Sequence, residues 1–219
     1  MRINSVQNYN NNHKPAFKSQ VRMHNHDVIC MNRDFLKDKI INGIKQLQNN
    51  GNDDRVFLEL YEGTIYSRLL LNVVKKEGEK LFAGTARSIW GDSPADMYEE
   101  AIKDMKPIED NPLYLGLNKV HMFFDEMTRA VKDPSFTKEL MNLEKTVKKG
   151  DSVSIKLLYN NSWDQISMNV IRKNGKSYTE GWEHADMYYY NSLKDVYKAA
   201  TKEMEPREEY NNNPLYFKL

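Results

Sequence analysis

One cysteine, Cys30, is all that 219 residues contain, so no disulfide can form within the chain and a reducing compartment is expected. Long apolar runs are missing as well. The nearest, Leu69-Leu70-Leu71-Asn72-Val73-Val74, is strand-sized and far from the ~18 residues of a membrane helix. The start Met1-Arg2-Ile3-Asn4-Ser5 has none of the apolar stretch of a secretory leader, and together these absences predict a cytoplasmic protein with no membrane attachment. Charge of one sign is not in excess either. With 32 Lys and Arg against 31 Asp and Glu the formal charge is +1, which excludes coating of polyanions by overall charge. Nucleophile elbow, Walker loop, dinucleotide fingerprint and zincin helix are all lacking, so no motif calls for an enzyme.

What is present is a repeat. Shifting the chain by 97 residues matches Asp54, Val56, Leu60, Asn72, Val73, Lys76, Gly78 and Gly84 with Asp151, Val153, Leu157, Asn169, Val170, Lys173, Gly175 and Gly181, which is 8 identities in 31 ungapped positions. At a shift of 99 the register resumes, with Ser93, Asp96, Tyr98, Ala101, Met105 and Pro107 on Ser192, Asp195, Tyr197, Ala200, Met204 and Pro206. Asn111-Pro112-Leu113-Tyr114 then recurs as Asn213-Pro214-Leu215-Tyr216.

Each copy reads as α-β-β-β-α. Val56, Leu58 and Leu60 alternate with polar or exposed positions, as do Leu69, Leu71 and Val73, the period of strands with one buried face. Glu77-Gly78 and Asn174-Gly175 mark hairpin turns. Ser93-Pro94-Ala95-Asp96 and Ser192-Leu193-Lys194-Asp195 carry N-cap signals, and Pro107 and Pro206 stop the helices that follow. Further helices are expected over about 35–49 and 136–148, ahead of each meander. The fold class is therefore α+β, an internal duplication of an α-β-β-β-α unit whose three-stranded antiparallel meander packs on helices, with pseudo-twofold symmetry. The expected divisions are a flexible Asn-rich tail over 1–31, a first unit over 32–117, a bridging helix over 118–134 and a second unit over 135–219. The Pro112 and Pro214 motifs are expected as extended strips folding back on their own units.

The α-β-β-β-α order resembles the double-stranded-RNA-binding domain, which commonly occurs in tandem. The resemblance covers topology alone and implies a nucleic-acid partner. That family's second helix opens with lysines aimed at phosphates. Here the positions read Ser93-Pro94-Ala95-Asp96-Met97-Tyr98-Glu99-Glu100 and Ser192-Leu193-Lys194-Asp195, which weakens that implication. The neutral total also hides a partition, with 8 basic and 4 acidic side chains in 1–53 but 8 and 12 in 54–117. Nucleic acid is thus the second choice of partner, through the basic N-terminal segment.

Candidate chemistry is thin. His24-Asn25-His26-Asp27 with Cys30 has metal-like composition but no fourth ligand at familiar spacing, so it is expected to be a solvated segment, and no metal or cofactor is expected. Cys30 is read as a small buried hydrophobe, and His121 as packed at a helix margin. Trp182, His184, Tyr188, Tyr189 and Tyr190 fall on a loop with a two-residue insertion, where a Glu183-His184-Asp186 cluster could support acid–base work or an aromatic binding surface. Asn72 and Asn169 recur mid-strand, where Asn is disfavoured, and share a face with Tyr66 and Trp163. They are expected either to bond a neighbouring strand or to mark a partner surface. The preferred reading is a non-catalytic binding protein for another protein. A tandem RNA-binding module and an enzyme with a site between the units near His184 are the alternatives.

Overall fold

The computed structural model describes residues 20–25, 27–28, 37–49, 54–62, 67–88, 92–158 and 162–211. Among these, helices combine with two five-stranded sheets in an α+β architecture. The first sheet runs β1 (Gln20–Arg22), β2 (Arg55–Glu62), β3 (Ser67–Glu77), β4 (Lys80–Arg87), β5 (Lys106–Ile108). The second runs β6 (Val120–His121), β7 (Asp151–Leu158), β8 (Ser162–Asn174), β9 (Ser177–Asp186), β10 (Glu205–Pro206). The helices are α1 (Lys37–Asn49), α2 (Pro94–Ala101), α3 (Pro112–Gly116), α4 (Phe124–Ala130), α5 (Pro134–Thr146) and α6 (Leu193–Ala200), and a 3-10 turn covers Glu208–Tyr210.

In each sheet the first strand lies parallel to the second, and the other pairings are antiparallel. Phe57, Asn72 and Thr85 stand side by side in one sheet, and Ser154, Asn169 and Trp182 in the other. The expected three-stranded meanders are therefore the centres of mixed five-stranded sheets. The added strands have two or three residues each, too few for alternation to reveal them.

Other local expectations change with them. Of the segment read as a flexible tail, residues 20–28 include β1 and the buried Met23, His24, Asn25, Asp27 and Val28. Its remaining residues, Cys30 and His26 among them, lie outside the described residues. The expected bridging helix over 118–134 begins only at Phe124, because Val120 and His121 pair with Val153 and Ser154 as strand β6. Glu144 of α5 holds that strand by accepting from the main-chain N–H of Lys119 and Val120, both at 2.9 Å. Asn111-Pro112-Leu113-Tyr114 is not an extended strip. Asn111 Oδ1 accepts from Leu113 N at 2.9 Å and caps α3, with proline in its first turn. The second copy of that motif lies outside the described residues.

The cap signals act as read. Ser93 and Ser192 accept from Asp96 N and Asp195 N at 3.2 and 3.3 Å, and their hydroxyls donate back to those aspartates. One core packs α1 and α2 on Val56, Leu58, Leu71 and Val73. The other packs α5 and α6 on Val153, Ile155, Met168 and Val170, and continues through Met122, Leu117 and Tyr114 to Phe57 and Val74 on the far face of the first sheet. That continuity makes the two sheets parts of one packed body. Aspartates at the start of the central strands tie in the helices: the Tyr98 hydroxyl donates to Asp54, and the Tyr197 hydroxyl to Asp151, which also grips Arg172 at 2.8 Å.

Gly84 and Gly181 sit mid-strand and are not turn glycines. A Cβ there would lie 1.9 Å from the Ala101 carbonyl oxygen and 1.8 Å from that of Ala200, so the helix ends α2 and α6 rest directly on bare strand backbone. Gly84→Ala and Gly181→Ala should each cost roughly 1–3 kcal/mol in urea unfolding. Gly116→Ala, whose Cβ would meet only the flexible Met141 side chain, should cost far less.

Candidate functional site

Beyond its three or two residues of pairing, neither β1 nor β6 continues alongside its neighbour. The chain instead turns across the faces of the sheets, at residues 23–25 and 27–28 after β1 and at residues 122–127 after β6. Asp27 accepts from Leu60 N at 2.9 Å, and Glu126 accepts from Leu157 N at 3.3 Å. Leu60 and Leu157 are the same position of β2 and β7, so in both places a carboxylate satisfies an edge N–H that a strand would otherwise take. Glu59 accepts from Phe124 N and joins the first sheet to α4.

Asp27, Glu59 and Glu126 are all buried. Burial, with Asp125, Asp27 and Glu126 as neighbouring negative charges, raises the Glu59 carboxyl to about 8, against which the Phe124 N–H bond works. Burial raises Glu126 to about 7, opposed by the bond from Leu157 N and by Lys156 and Arg129. On the far side, burial holds His121 well below its ordinary value, assisted by Arg22, His24 and Arg55. The space between these groups, lined by Arg22, His24, Glu59 and His121, is a cavity of about 10 Å³, room for at most one water. It cannot hold a substrate.

A second, open space of about 250 Å³ lies on the outer face of the second sheet. Its walls are two stacked ring pairs. His24 and Phe123 have centroids 4.7 Å apart with planes at 12°, and Trp182 and His184 have centroids 6.3 Å apart at 21°. Lys156 carries its Nζ 6.0 Å from the Phe123 ring centre, and Ser167 and Leu158 complete the lining. Register explains the convergence: Lys156 pairs with Ser167, which pairs with His184, so the three point to one face.

The residues singled out in the sequence are only partly brought together. Trp182 and His184 belong to strand β9, which runs to Asp186, and the expected loop begins after it. Tyr188 and Tyr189 follow in the turn, exposed, with rings edge to face at 5.4 Å, while Tyr190 is half-buried. Glu183 alternates to the face opposite His184, where it takes part in raising the Tyr190 hydroxyl alongside burial, and Asp186 Oδ1 accepts from Tyr188 N at 2.9 Å. The acids flanking His184 thus do not converge on it. His24 stacks on Phe123 and is not part of a solvated segment, and no metal-binding group of three ligands occurs among the described residues.

Asn169 lies elsewhere on the same face, buried, accepting from Asn25 Nδ2 at 2.8 Å and donating to Glu180 Oε1 at 2.7 Å. Asn25 N donates to Ser154 Oγ at 2.8 Å. Asn72 accepts from Thr85 Oγ1 at 2.7 Å, and its buried Nδ2 has no partner among the described residues. Tyr66 lies outside the described residues; Trp163 is a position of β8. Phe123, Lys156, Glu59 and Glu126 went unnoticed in the sequence. Phe123 reads there as the apolar side of a helix, and Glu59 as the solvent half of an alternating strand.

Neither the protein-family models nor the curated proteins nor the solved structures contain a match to this chain.

The raised carboxyls carry a testable sign. Their folded values exceed the ordinary 4.5, so the folded state binds more protons and stability falls as pH rises, from about pH 4.5 to 8 for Glu59 and to 7 for Glu126, at up to about 1.4 kcal/mol per unit for each group within its own window. His121 works oppositely below its ordinary 6.5, so the pure effect lies above that. Glu59→Gln keeps an acceptor for Phe124 N and carries no charge. Urea unfolding at pH 6.5 and 8.5 should show a smaller loss for the variant than for the unchanged protein.

Proposed function

We propose that this chain is a duplicated pair of α+β units fused into one body, and that it acts as a non-catalytic binding protein for another protein. The single observation that carries the binding reading is the placing of exposed aromatics. Among the described residues the exposed large hydrophobic side chains are Trp182, Tyr188 and Tyr189, at 43%, 89% and 79% of full exposure. All three fall within eight residues, Trp182 inside β9 and Tyr188 and Tyr189 in the turn that follows it. Large exposed aromatics gathered in one patch are unusual on a surface with no partner, and Trp and Tyr dominate the energetics of protein interfaces. Among the described residues neither Glu183 nor Asp186 converges on His184 and no carboxylate lines its groove, which favours binding over catalysis at this patch.

The duplication is supported by reciprocal contacts of the kind a twofold pair makes. Asn25 reaches Ser154 while Phe124 packs on Phe57 at 5.3 Å, and His24 stacks on Phe123. In the strand pairing His24 and Phe123 occupy corresponding places, two residues beyond Arg22 and His121, as equivalent residues meeting at an axis would. The partition of function follows from this: the common framework gives stability, and the aromatic patch, which has no counterpart among the described residues of the first unit, gives recognition.

The double variant Tyr188→Ala, Tyr189→Ala should unfold within about 0.5 kcal/mol of the unchanged protein and lose capture of protein partners from the native host by at least tenfold. Unchanged capture would refute the patch as the interface. Salt-sensitive retention on double-stranded RNA that survives the double variant would instead favour the nucleic-acid alternative.

A further inference from the structure

We propose that the groove between the His24–Phe123 stack and the Trp182–His184 stack receives one aromatic side chain flanked by carboxylates, presented by a peptide segment of the partner protein. The inference rests on the binding reading above and names what that surface recognises.

Size, composition and charge each narrow the occupant. At about 250 Å³ the groove falls below the roughly 300–1,000 Å³ of clefts that bury a cofactor or a drug-sized ligand, yet it is large enough for a single aromatic side chain. Four of its lining residues present rings, in two near-parallel pairs. Flat walls of this kind favour a planar guest over a branched aliphatic one. The groove is open to solvent beside Trp182 and His184, both exposed, so a guest can enter while still attached to a chain.

The lining is cationic in character. Lys156 is exposed above the Phe123 ring, His24 and His184 are the other titratable members, and none of the described lining residues is acidic. Glu126, which Lys156 influences electrostatically, is buried behind it and bound to Leu157 N. Asp186, farther along the same face, is engaged in its turn with Tyr188 N. An aromatic guest with carboxylate neighbours therefore meets at the rim an ammonium that makes no ion pair among the described residues, whereas a lysine-flanked guest meets repulsion. The corresponding positions of the first sheet carry Glu59, Leu70, Thr85 and Arg87, which supply neither the cation at Lys156 nor the rings of Trp182 and His184.

Nuclear magnetic resonance titration of the full chain with three blocked peptides tests this: glutamate–tryptophan–glutamate, lysine–tryptophan–lysine and glutamate–alanine–glutamate, with free indole-3-acetate as a fourth probe. Saturable shifts at the Trp182 indole N–H and at the Ser167 and His184 amides are expected with the first peptide, at a Kd of about 1 mM or tighter, as one small anchor allows. The lysine and alanine peptides should bind at least tenfold more weakly, and Lys156→Glu should reverse the order of the two tryptophan peptides. Equal binding of the two, equal binding of the alanine peptide, or no effect of Lys156→Glu would overturn the proposal. Indole-3-acetate binding more than tenfold tighter than the peptide would overturn it too, by assigning the groove to a free small molecule. The Tyr188→Ala, Tyr189→Ala variant separates the two readings. It should keep the peptide shifts while losing the partner, so failure of the peptides speaks to the groove and failure of the capture assay to the patch.

Discussion

β1 and β6 end after three and two residues while β2 and β7 run on, so the N–H groups of Leu60 and Leu157 lose their strand partner inside the protein. An unpaired buried N–H is costly enough that something must replace the strand, and here it is the carboxylate of Asp27 or Glu126. The replacement dictates the path of the chain. Each edge segment must leave the strand direction to aim an acid at the sheet it has just left, and in doing so it crosses toward the other sheet. There Asn25 meets Ser154 and Asn169, and Phe124 meets Phe57 and Glu59. The union of the two sheets is thus a consequence of two short edge strands.

That solution gathers three acids where they cannot all be comfortably ionised. Glu59 absorbs the conflict, since it is buried and has Asp27 and Glu126 close enough to raise it further. Lys156 stands in β7 where Glu59 stands in β2. A fourth carboxylate there would have pressed on Glu126, whereas the ammonium relieves it. One position therefore serves two ends, easing the buried acids on one side and leaving positive charge at the rim of the aromatic groove on the other.

Much of the secondary structure was legible because it rests on local rules. Alternation at Leu69, Leu71 and Val73, the capping serines Ser93 and Ser192, and glycines 78 and 175, both with φ of 62° at hairpin turns, need no tertiary information. The edge strands were not legible, because two or three residues such as Val120 and His121 form no period and gain their strand character from a neighbour more than 30 residues away. Asn111-Pro112-Leu113-Tyr114 misled for a related reason: proline reads as a stop and also as a helix start, and only the Asn111 cap decides. Trp182 and His184 were noticed for their composition. Their assignment to a loop came from the insertion, whereas the structure carries strand β9 through both residues to Asp186. Glu59 and Phe123 could not be recognised as buried partners, since the segments that cover them come from distant parts of the chain.

The two sheets share register, helix contacts and edge-capping acids, so the difference between their outer faces cannot be ascribed to the framework. Over the first sheet Tyr114 and Phe124 pack against each other and against Phe57, and that surface is consumed in holding the body together. Over the second, the described part of the covering segment is tied by polar bonds from Asn25, and Trp182 and His184 stand exposed. A face held by hydrogen bonds at one end needs no apolar filler at the other, and aromatic side chains can stand there without serving the core. On the proposed reading, recognition can change at the exposed Trp182 and His184 without disturbing the contacts that fix the fold, whereas Lys156 also acts on the buried Glu126 and ties the proposed surface to the framework.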